Sequence, residues 1–246
     1  MLNNEKKIEF EYNKCYIAFL DLLGFKNVIG KKTCQEILDI FSNIKIPIQS
    51  INIYKGGKWV PLVDQETINK VNMKIMSDSI CFYITASETN AFCTLAAVCT
   101  MFQIMMLKLP DPVLMRGGIV YGELFAFGDI TYGPGLTNAY LLEEKSAKYP
   151  RIIMTGDIVE RAFKETTPNC QQILSKLLNR DFDAFYMLNY FGLLPADGDN
   201  KQSTQIFYEH IEKVLNSEID PSIREKYLYL ESNMQKVIGQ GEQTNE

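Results

Sequence analysis

Residues 16–25, YIAFLDLLGF, and residues 71–85, VNMKIMSDSICFYIT, carry the pattern that decides the fold. In the first, an apolar run from Tyr16 to Leu20 meets an acid, Asp21, and then Gly24, which reads as a buried strand feeding a turn. In the second, two β-rich runs flank the polar pair Ser77-Asp78, which reads as strand, tight turn, strand and puts Asp78 at a hairpin tip. Between them, Thr33 is an expected N-cap for a helix with Ile37, Leu38, Ile40 and Phe41 on one side. The Gly56-Gly57 pair in KGGKWVPLV suggests a small exposed hairpin. A helix is expected from about Asn90 to Leu109, stopped by Pro110 and Pro112, followed by an extended stretch from Val113 to Leu124 with Gly117, Gly118 and Gly122. Ala139–Lys148 reads as a helix and Arg151–Thr155 as a strand. This order suits an antiparallel or mixed sheet with helices on one face, an α+β sandwich of the ferredoxin-like type.

At 246 residues, with 46% hydrophobic and 22% charged residues, the chain can bury the core of one large domain or two small ones, and disorder is excluded. No internal repeat is visible. The linker-like stretches are Pro195–Thr204 and the polar tail after Gly239, so one compact domain with a C-terminal extension is the simplest organisation. The single histidine, His210, leaves little room for a Ser/His/Asp triad or a poly-histidine zinc site, so chemistry is expected from carboxylates. His210 itself lies in an expected helix, IFYEHIEKVL, where it reads as a surface or packing residue. Thirty acidic residues against 25 basic ones give a net charge of −5, and no long basic run offers a nucleic-acid footprint. The six cysteines form no CxxC pair and mostly sit in apolar runs, which reads as buried reduced thiols and a cytoplasmic location. The polar start MLNNEKKIEFEYNK lacks a signal-peptide core. The apolar stretch Ala91–Leu109 contains Thr94, Thr100 and Gln103 and reads as a core helix rather than an inserted membrane span.

In a ferredoxin-like sheet the first strand and the hairpin are neighbours, so Asp21 and Asp78 can converge at one edge. Two carboxylates plus the phosphates of a substrate are enough to hold Mg²⁺ or Mn²⁺, because hard cations take oxygen ligands. The plainer reading makes Asp21 a solvated strand end and Asp78 a turn former.

These residues carry a resemblance. FLDLLGF (19–25) resembles the first metal motif of the class III nucleotidyl cyclases, an aspartate followed by an apolar residue, a variable residue, glycine and phenylalanine. KIMSDSI (74–80) resembles the second, with a lysine four residues before the metal aspartate. MRGGIVYG (115–122) resembles the family's arginine-glycine strand, and YGPGLTNAYLLEE (132–144) the segment after it. The match runs from about Tyr16 to Thr155. It implies a ferredoxin-like class III cyclase catalytic domain over residues 1–168 and a C-terminal α/β extension, 169–246, packed on or completing it. It further implies that Asp21, Asp78 and the backbone carbonyl of Leu22 bind two Mn²⁺ or Mg²⁺ ions, and that amides around Gly24 and Phe25 hold a triphosphate. Arg116 would bind phosphate oxygens, and Lys74 occupies a base-reading position. The implied reaction is attack of the ribose 3′-hydroxyl on the α-phosphorus with release of pyrophosphate, by a phosphorus–oxygen lyase.

Each residue also has a plainer reading: Phe25 a core aromatic, Lys74 a solvated edge charge, Arg116 a partner for Glu123 or Asp129. The chain departs from the family where an asparagine and an arginine act on the transition state across a dimer interface. Those positions hold Thr137 and Leu141, with Asn138 one residue out of place, and the base-reading acid falls at Ile130. Lys145 or Arg151 are candidate substitute cations. In motif style and size the chain resembles the pyrimidine cyclases of bacterial anti-phage Pycsar systems, homodimeric Mn²⁺ enzymes that make cyclic UMP or cyclic CMP for a separate effector protein. The competing expectation is a catalytically degenerate relative that binds nucleotide or regulates a partner. A palm-type polymerase or diguanylate synthase fits less well, because SDSI holds one acid where those folds show an adjacent pair.

Overall fold

The computed structural model describes residues 11–48, 52–55, 58–61, 65–193 and 199–243. Strand β1 (Asn13–Leu23) leads into a short helix α1 (Phe25–Ile29) and the longer α2 (Cys34–Ile48). Thr33 and Glu36 cap α2 reciprocally: the Thr33 amide donates to the Glu36 carboxylate at 2.7 Å and the Glu36 amide donates to Thr33 Oγ1 at 3.3 Å, satisfying first-turn donors. A separate two-stranded ribbon, β2 (Asn52–Lys55) with β3 (Lys58–Pro61), follows; its Gly56-Gly57 tip lies outside the described residues. Then come α3 (Gln65–Ile68), the hairpin β4 (Asn72–Met76) and β5 (Ser79–Thr85), helix α4 (Ala91–Leu107), and the ribbon β6 (Leu114–Phe127) with β7 (Ile130–Tyr132).

Helix α5 (Pro134–Ser146) starts five residues before the expected Ala139. The Gly-Pro-Gly sequence at 133–135 resembles a loop, but proline at the first helical position has its φ preset and loses no hydrogen bond there. The chain continues through β8 (Ile152–Met154), α6 (Gly156–Glu165), α7 (Pro168–Leu177), β9 (Leu178–Arg180), β10 (Tyr186–Leu188), a 3-10 turn at Phe191–Leu193, α8 (Asp199–Leu215) and α9 (Pro221–Gln243). Residues 195–198 of the expected linker lie outside the described residues, and Asp199–Thr204 are helical, as is the stretch Gly239–Gln243 expected to be a polar tail.

The main sheet runs β4-β5-β1-β6-β8-β10-β9, with β7 paired to β6. Its first four strands have the order 2-3-1-4 of a ferredoxin-like unit, all antiparallel. The β6–β8 pairing is parallel, so the sheet is mixed. β1 is bonded on both sides and buried on both faces, which explains its nearly continuous apolar run. Tyr16, Ala18, Leu20 and Leu22 enter one core with α4, while Cys15, Ile17 and Phe19 enter another with Leu136 and Ala139 of α5.

The expectation of helices on one face is therefore corrected: α5 covers the opposite face. It can lie there because β6 is glycine-rich where α5 crosses; a Cβ on Gly122 would sit 2.6 Å from the Gly135 Cα. Helix α4 is buried almost all round, between the sheet and the helices behind it. Thr94 and Thr100 donate back to the Asn90 and Ala96 carbonyls at 3.1 and 2.8 Å, while Gln103 Nε2 reaches the Pro150 carbonyl at 3.4 Å and its Oε1 accepts no hydrogen bond. Among the described residues no helix is long and apolar enough to cross a membrane.

The C-terminal helices build a further core. Ile104 and Leu107 of α4 meet Ile153, Met187, Phe207, Ile211, Leu230 and Met234. Arg151, with no side-chain exposure, is ion-paired to Asp181 and Asp183 and lies 5.4–5.7 Å from the rings of Tyr149, Phe182 and Tyr229. The Tyr229 hydroxyl donates to Asp181 at 2.6 Å. His210 is half-buried with Nε2 3.3 Å from the Tyr227 hydroxyl, and burial, aided by Lys213, holds its pKa below the ordinary 6.5.

Gly122→Ala pushes a methyl group into backbone that cannot swing aside, and should cost about 2 kcal/mol in urea unfolding. Gly156→Ala, whose nearest neighbour would be Tyr186 Cε2 at 3.8 Å, should be neutral or slightly stabilising. For His210, the unfolded chain binds the proton more readily than the folded one, so stability is retained above pH 6.5 and falls as the pH drops below it. His210→Gln should flatten that acid-side slope in unfolding midpoints measured from pH 5 to 7.5; an unchanged slope would exclude His210 as its source.

Candidate metal and phosphate site

The register of the central strands sets the site. Asp21 lies opposite Ser79 of β5 on one side and opposite Arg116 of β6 on the other. The Leu22 amide donates to the Asp78 carbonyl at 2.8 Å, which clamps the hairpin turn against the end of β1. Ser77 in that turn adopts φ +58°. Neighbouring antiparallel strands hold facing Cα atoms about 5 Å apart, so the backbones of Asp21 and Asp78 are close. Asp21 keeps 23% side-chain exposure, and Asp78 is also partly exposed.

Asp21 and Arg116 share one row of the sheet with Met76 and Ser79, and Lys74 shares the next with Cys81, Phe19 and Gly118. Phe19 and Cys81 belong to the core under α5, so Asp21, Arg116 and Lys74 stand on the α5 face. Arg116 Nε–H donates to Asp21 Oδ2 at 3.1 Å, and Nη1 donates to the Ala147 carbonyl at 3.4 Å. Its partners are thus Asp21 and Glu143, not the Glu123 or Asp129 considered from sequence; Glu123 pairs with Lys14 at 3.0 Å. Glu143 Oε1 lies 2.8 Å from Arg116 Nε, yet it accepts no hydrogen bond, because the Nε hydrogen is aimed at Asp21. The contact is a charge pairing without a hydrogen bond. Glu143 is only 3% exposed, and burial pushes its carboxyl up to about 7, Arg116 pulling down and Asp21 pushing up.

The remaining sequence candidates fall as follows. Gly24 adopts φ +75° with open space where a Cβ would stand, so the backbone conformation alone calls for glycine here. Phe25 is buried and packs edge-on to Phe41 at 5.7 Å; its side chain belongs to the core, leaving only its backbone for ligand. The Leu22 side chain is likewise buried. Lys74 Nζ donates to the Gly128 carbonyl at 2.8 Å, in the turn between β6 and β7. Thr137 is exposed in the first turn of α5, 3.4 Å from the Gly133 carbonyl. It lies six residues from Glu143, about 9 Å along the helix, and is not brought to the acids within this chain. Arg151 is corrected: it is caged between Asp181 and Asp183 and cannot serve as a substitute cation. Lys145 is exposed.

As a metal site the donor set is chemically consistent: two carboxylates and a peptide carbonyl, all hard oxygen, on a partly open sheet edge. Among the described residues no three His, Cys, Asp or Glu side chains are grouped as a closed metal cage, so this edge suits Mg²⁺ or Mn²⁺ sharing substrate oxygens and water rather than a zinc-type site. Glu143 is not among the site residues that the sequence nominates. The signal was present: Ala139 and Glu143 are four apart on α5, so a carboxylate sits on the stripe that faces the sheet and needs a cation.

No family model matches the chain, and no curated protein is similar to it in sequence. Among solved structures, the guanylate cyclase domain of RhGC from Catenaria anguillulae in complex with GTP is similar at 11% identity over 74% of this chain and 98% of that one, with TM-score 0.47. An adenylate/guanylate cyclase/hydrolase from Silicibacter pomeroyi is 15% identical over 73% of this chain and 96% of that one, with TM-score 0.43. A bacterial light-regulated adenylyl cyclase is 12% identical over 81% and 98%, with TM-score 0.40. Likenesses this distant say nothing about activity; only the chain's own residues can.

Proposed function

We propose that this protein is a cytoplasmic, metal-dependent nucleotidyl cyclase that converts UTP or CTP to the 3′,5′-cyclic monophosphate and pyrophosphate, a second messenger for a separate effector in anti-phage defence. The observation that carries the reading is the meeting of Asp21, the Asp78 turn and Arg116 at the open end of β1. Two ions held by Asp21, Asp78 and the Leu22 carbonyl would lower the pKa of the ribose 3′-hydroxyl and offset charge on the phosphates. Arg116 presents a planar, permanently charged fork to phosphate oxygens. The 3′-oxygen, its proton passing to water, would then bond to the α-phosphorus as the bond to the α,β-bridging oxygen breaks and pyrophosphate leaves.

The pyrimidine choice rests on Lys74. The acid that would accompany it in reading a purine is replaced by exposed Ile130, and Lys74 Nζ bonds instead to the Gly128 carbonyl. The homodimer rests on exposed apolar residues around this turn, Phe127 at 63%, Ile130 at 60%, Tyr132 and Tyr140, beside a site that lacks transition-state groups of its own at Thr137 and Leu141. Those same two residues favour the second reading, a catalytically degenerate module that binds triphosphate without turnover.

Purified protein incubated with each of the four nucleoside triphosphates and Mn²⁺ should yield cyclic UMP or cyclic CMP by mass spectrometry. Asp21→Ala and Asp78→Ala should each reduce the rate by more than about a hundredfold. Binding without product would favour the degenerate module, and neither binding nor product would refute both. Separately, Phe127→Asp should convert a dimer to a monomer in light scattering and abolish turnover; a wild-type monomer with full activity would remove the homodimer from the proposal.

A further inference from the structure

Glu143 is a buried acid that the reaction as described does not use. It lies on α5 opposite the Asp21–Arg116 row, and one of its oxygens is 2.8 Å from Arg116 Nε while accepting no hydrogen bond. A buried carboxylate oxygen without a hydrogen bond is costly and calls for an explanation. Arg116 Nε has one hydrogen, and Asp21 Oδ2 takes it at 3.1 Å. Asp21 is also the carboxylate assigned to metal. A divalent ion on Asp21 repels a guanidinium and draws on the lone pairs of the same carboxylate, so loading the site would weaken the bond that holds Arg116.

We propose, resting on the cyclase reading, that Glu143 is the positioning residue that takes over Arg116: its open oxygen accepts the Nε–H that Asp21 releases on binding metal. The handover needs only a small reorientation, since donor and acceptor already stand at hydrogen-bonding distance. Together with the Ala147 carbonyl, which accepts from Nη1 at 3.4 Å, Glu143 keeps the fork of Arg116 on the sheet face where phosphate arrives. Without Glu143, an Arg116 displaced by metal has one long hydrogen bond to hold it, and its side-chain entropy opposes phosphate binding. Glu143 thus acts on substrate through Arg116 and touches neither metal nor phosphate.

The test uses inorganic tripolyphosphate, which carries the phosphate chain but no ribose and cannot be cyclised. Its Mn²⁺ complex is titrated into the full-length protein by calorimetry, alongside Mn²⁺ alone. Glu143→Met, which fills similar volume without an acceptor, should bind Mn²⁺–tripolyphosphate about tenfold more weakly and Mn²⁺ alone within threefold of wild type. Glu143→Gln, whose amide oxygen still accepts, should stay within threefold for both. In an Arg116→Ala background, Glu143→Met should add less than twofold. Arg116→Lys, which keeps the charge but has no Nε–H, should show the tenfold loss whether or not Glu143→Met folds.

Wild-type binding by Glu143→Met or by Arg116→Lys overturns the proposal, and so does an equal loss from Glu143→Met with and without Arg116. If wild type binds the complex and the variants show the stated losses but no cyclic nucleotide is made, the cyclase reading falls and the handover stands. If wild type turns over and the Glu143 variants bind normally, the handover alone falls. If wild type does not bind the complex, both fall.

Discussion

Strand β1 has no free side. It is hydrogen-bonded to β5 and β6 along its length, and its alternating side chains fill two different cores. Burying both faces of one strand requires a layer above and a layer below, so α4 and α5 are both consequences of it. The strand is buried from Cys15 to Leu20, and Asp21 is the first residue past that run that keeps some exposure. The site is therefore located by the core: beyond the sealed run, the first position that carries a charge is the one at which the helical layers no longer fully cover the sheet.

Placing charge there creates a local balance problem. Asp21 and Glu143 both face Arg116, one partly wet and one nearly sealed. A single guanidinium between two carboxylates leaves one acid poorly served, and the structure shows which: Asp21 takes the hydrogen and Glu143 keeps proximity only. Such a cluster has a surplus of negative charge, which favours incoming cations at the exposed acid. Under the proposed function, the acidic composition of the chain and a polyanionic substrate are compatible, because metal ions arriving with the phosphates would answer the surplus.

Much of the central sheet was legible because its signals are local. The run ending at Asp21, the hairpin around Ser77-Asp78 and the two prolines after Leu109 each depend on neighbours in sequence, and β4, β5 and α4 lie close to where those signals put them. The second helical layer was not, because whether α5 covers the other face depends on Gly122 meeting Gly135, a contact between distant segments that no periodicity reports. The same distinction divides the site. The adjacency of Asp21 and Asp78 follows from strand order. The partnership of Arg116 with Glu143 depends on the crossing of a helix over a strand, and the caging of Arg151 depends on residues beyond the motif-bearing region.

That cage also sets how short a working chain can be. The Arg151 guanidinium is neutralised by Asp181 and Asp183 and enclosed by rings that include Tyr149 and Tyr229. Both carboxylates, and the ring from α9, come after residue 168, the expected end of the motif-bearing domain. Cutting the chain there would strip Arg151 of both carboxylates and two of its three rings and would uncover Ile153 of β8, which packs against α8 and α9 one strand away from the strand that carries Arg116. The C-terminal third is in this sense the counter-ion of the main sheet, through Asp181 and Asp183.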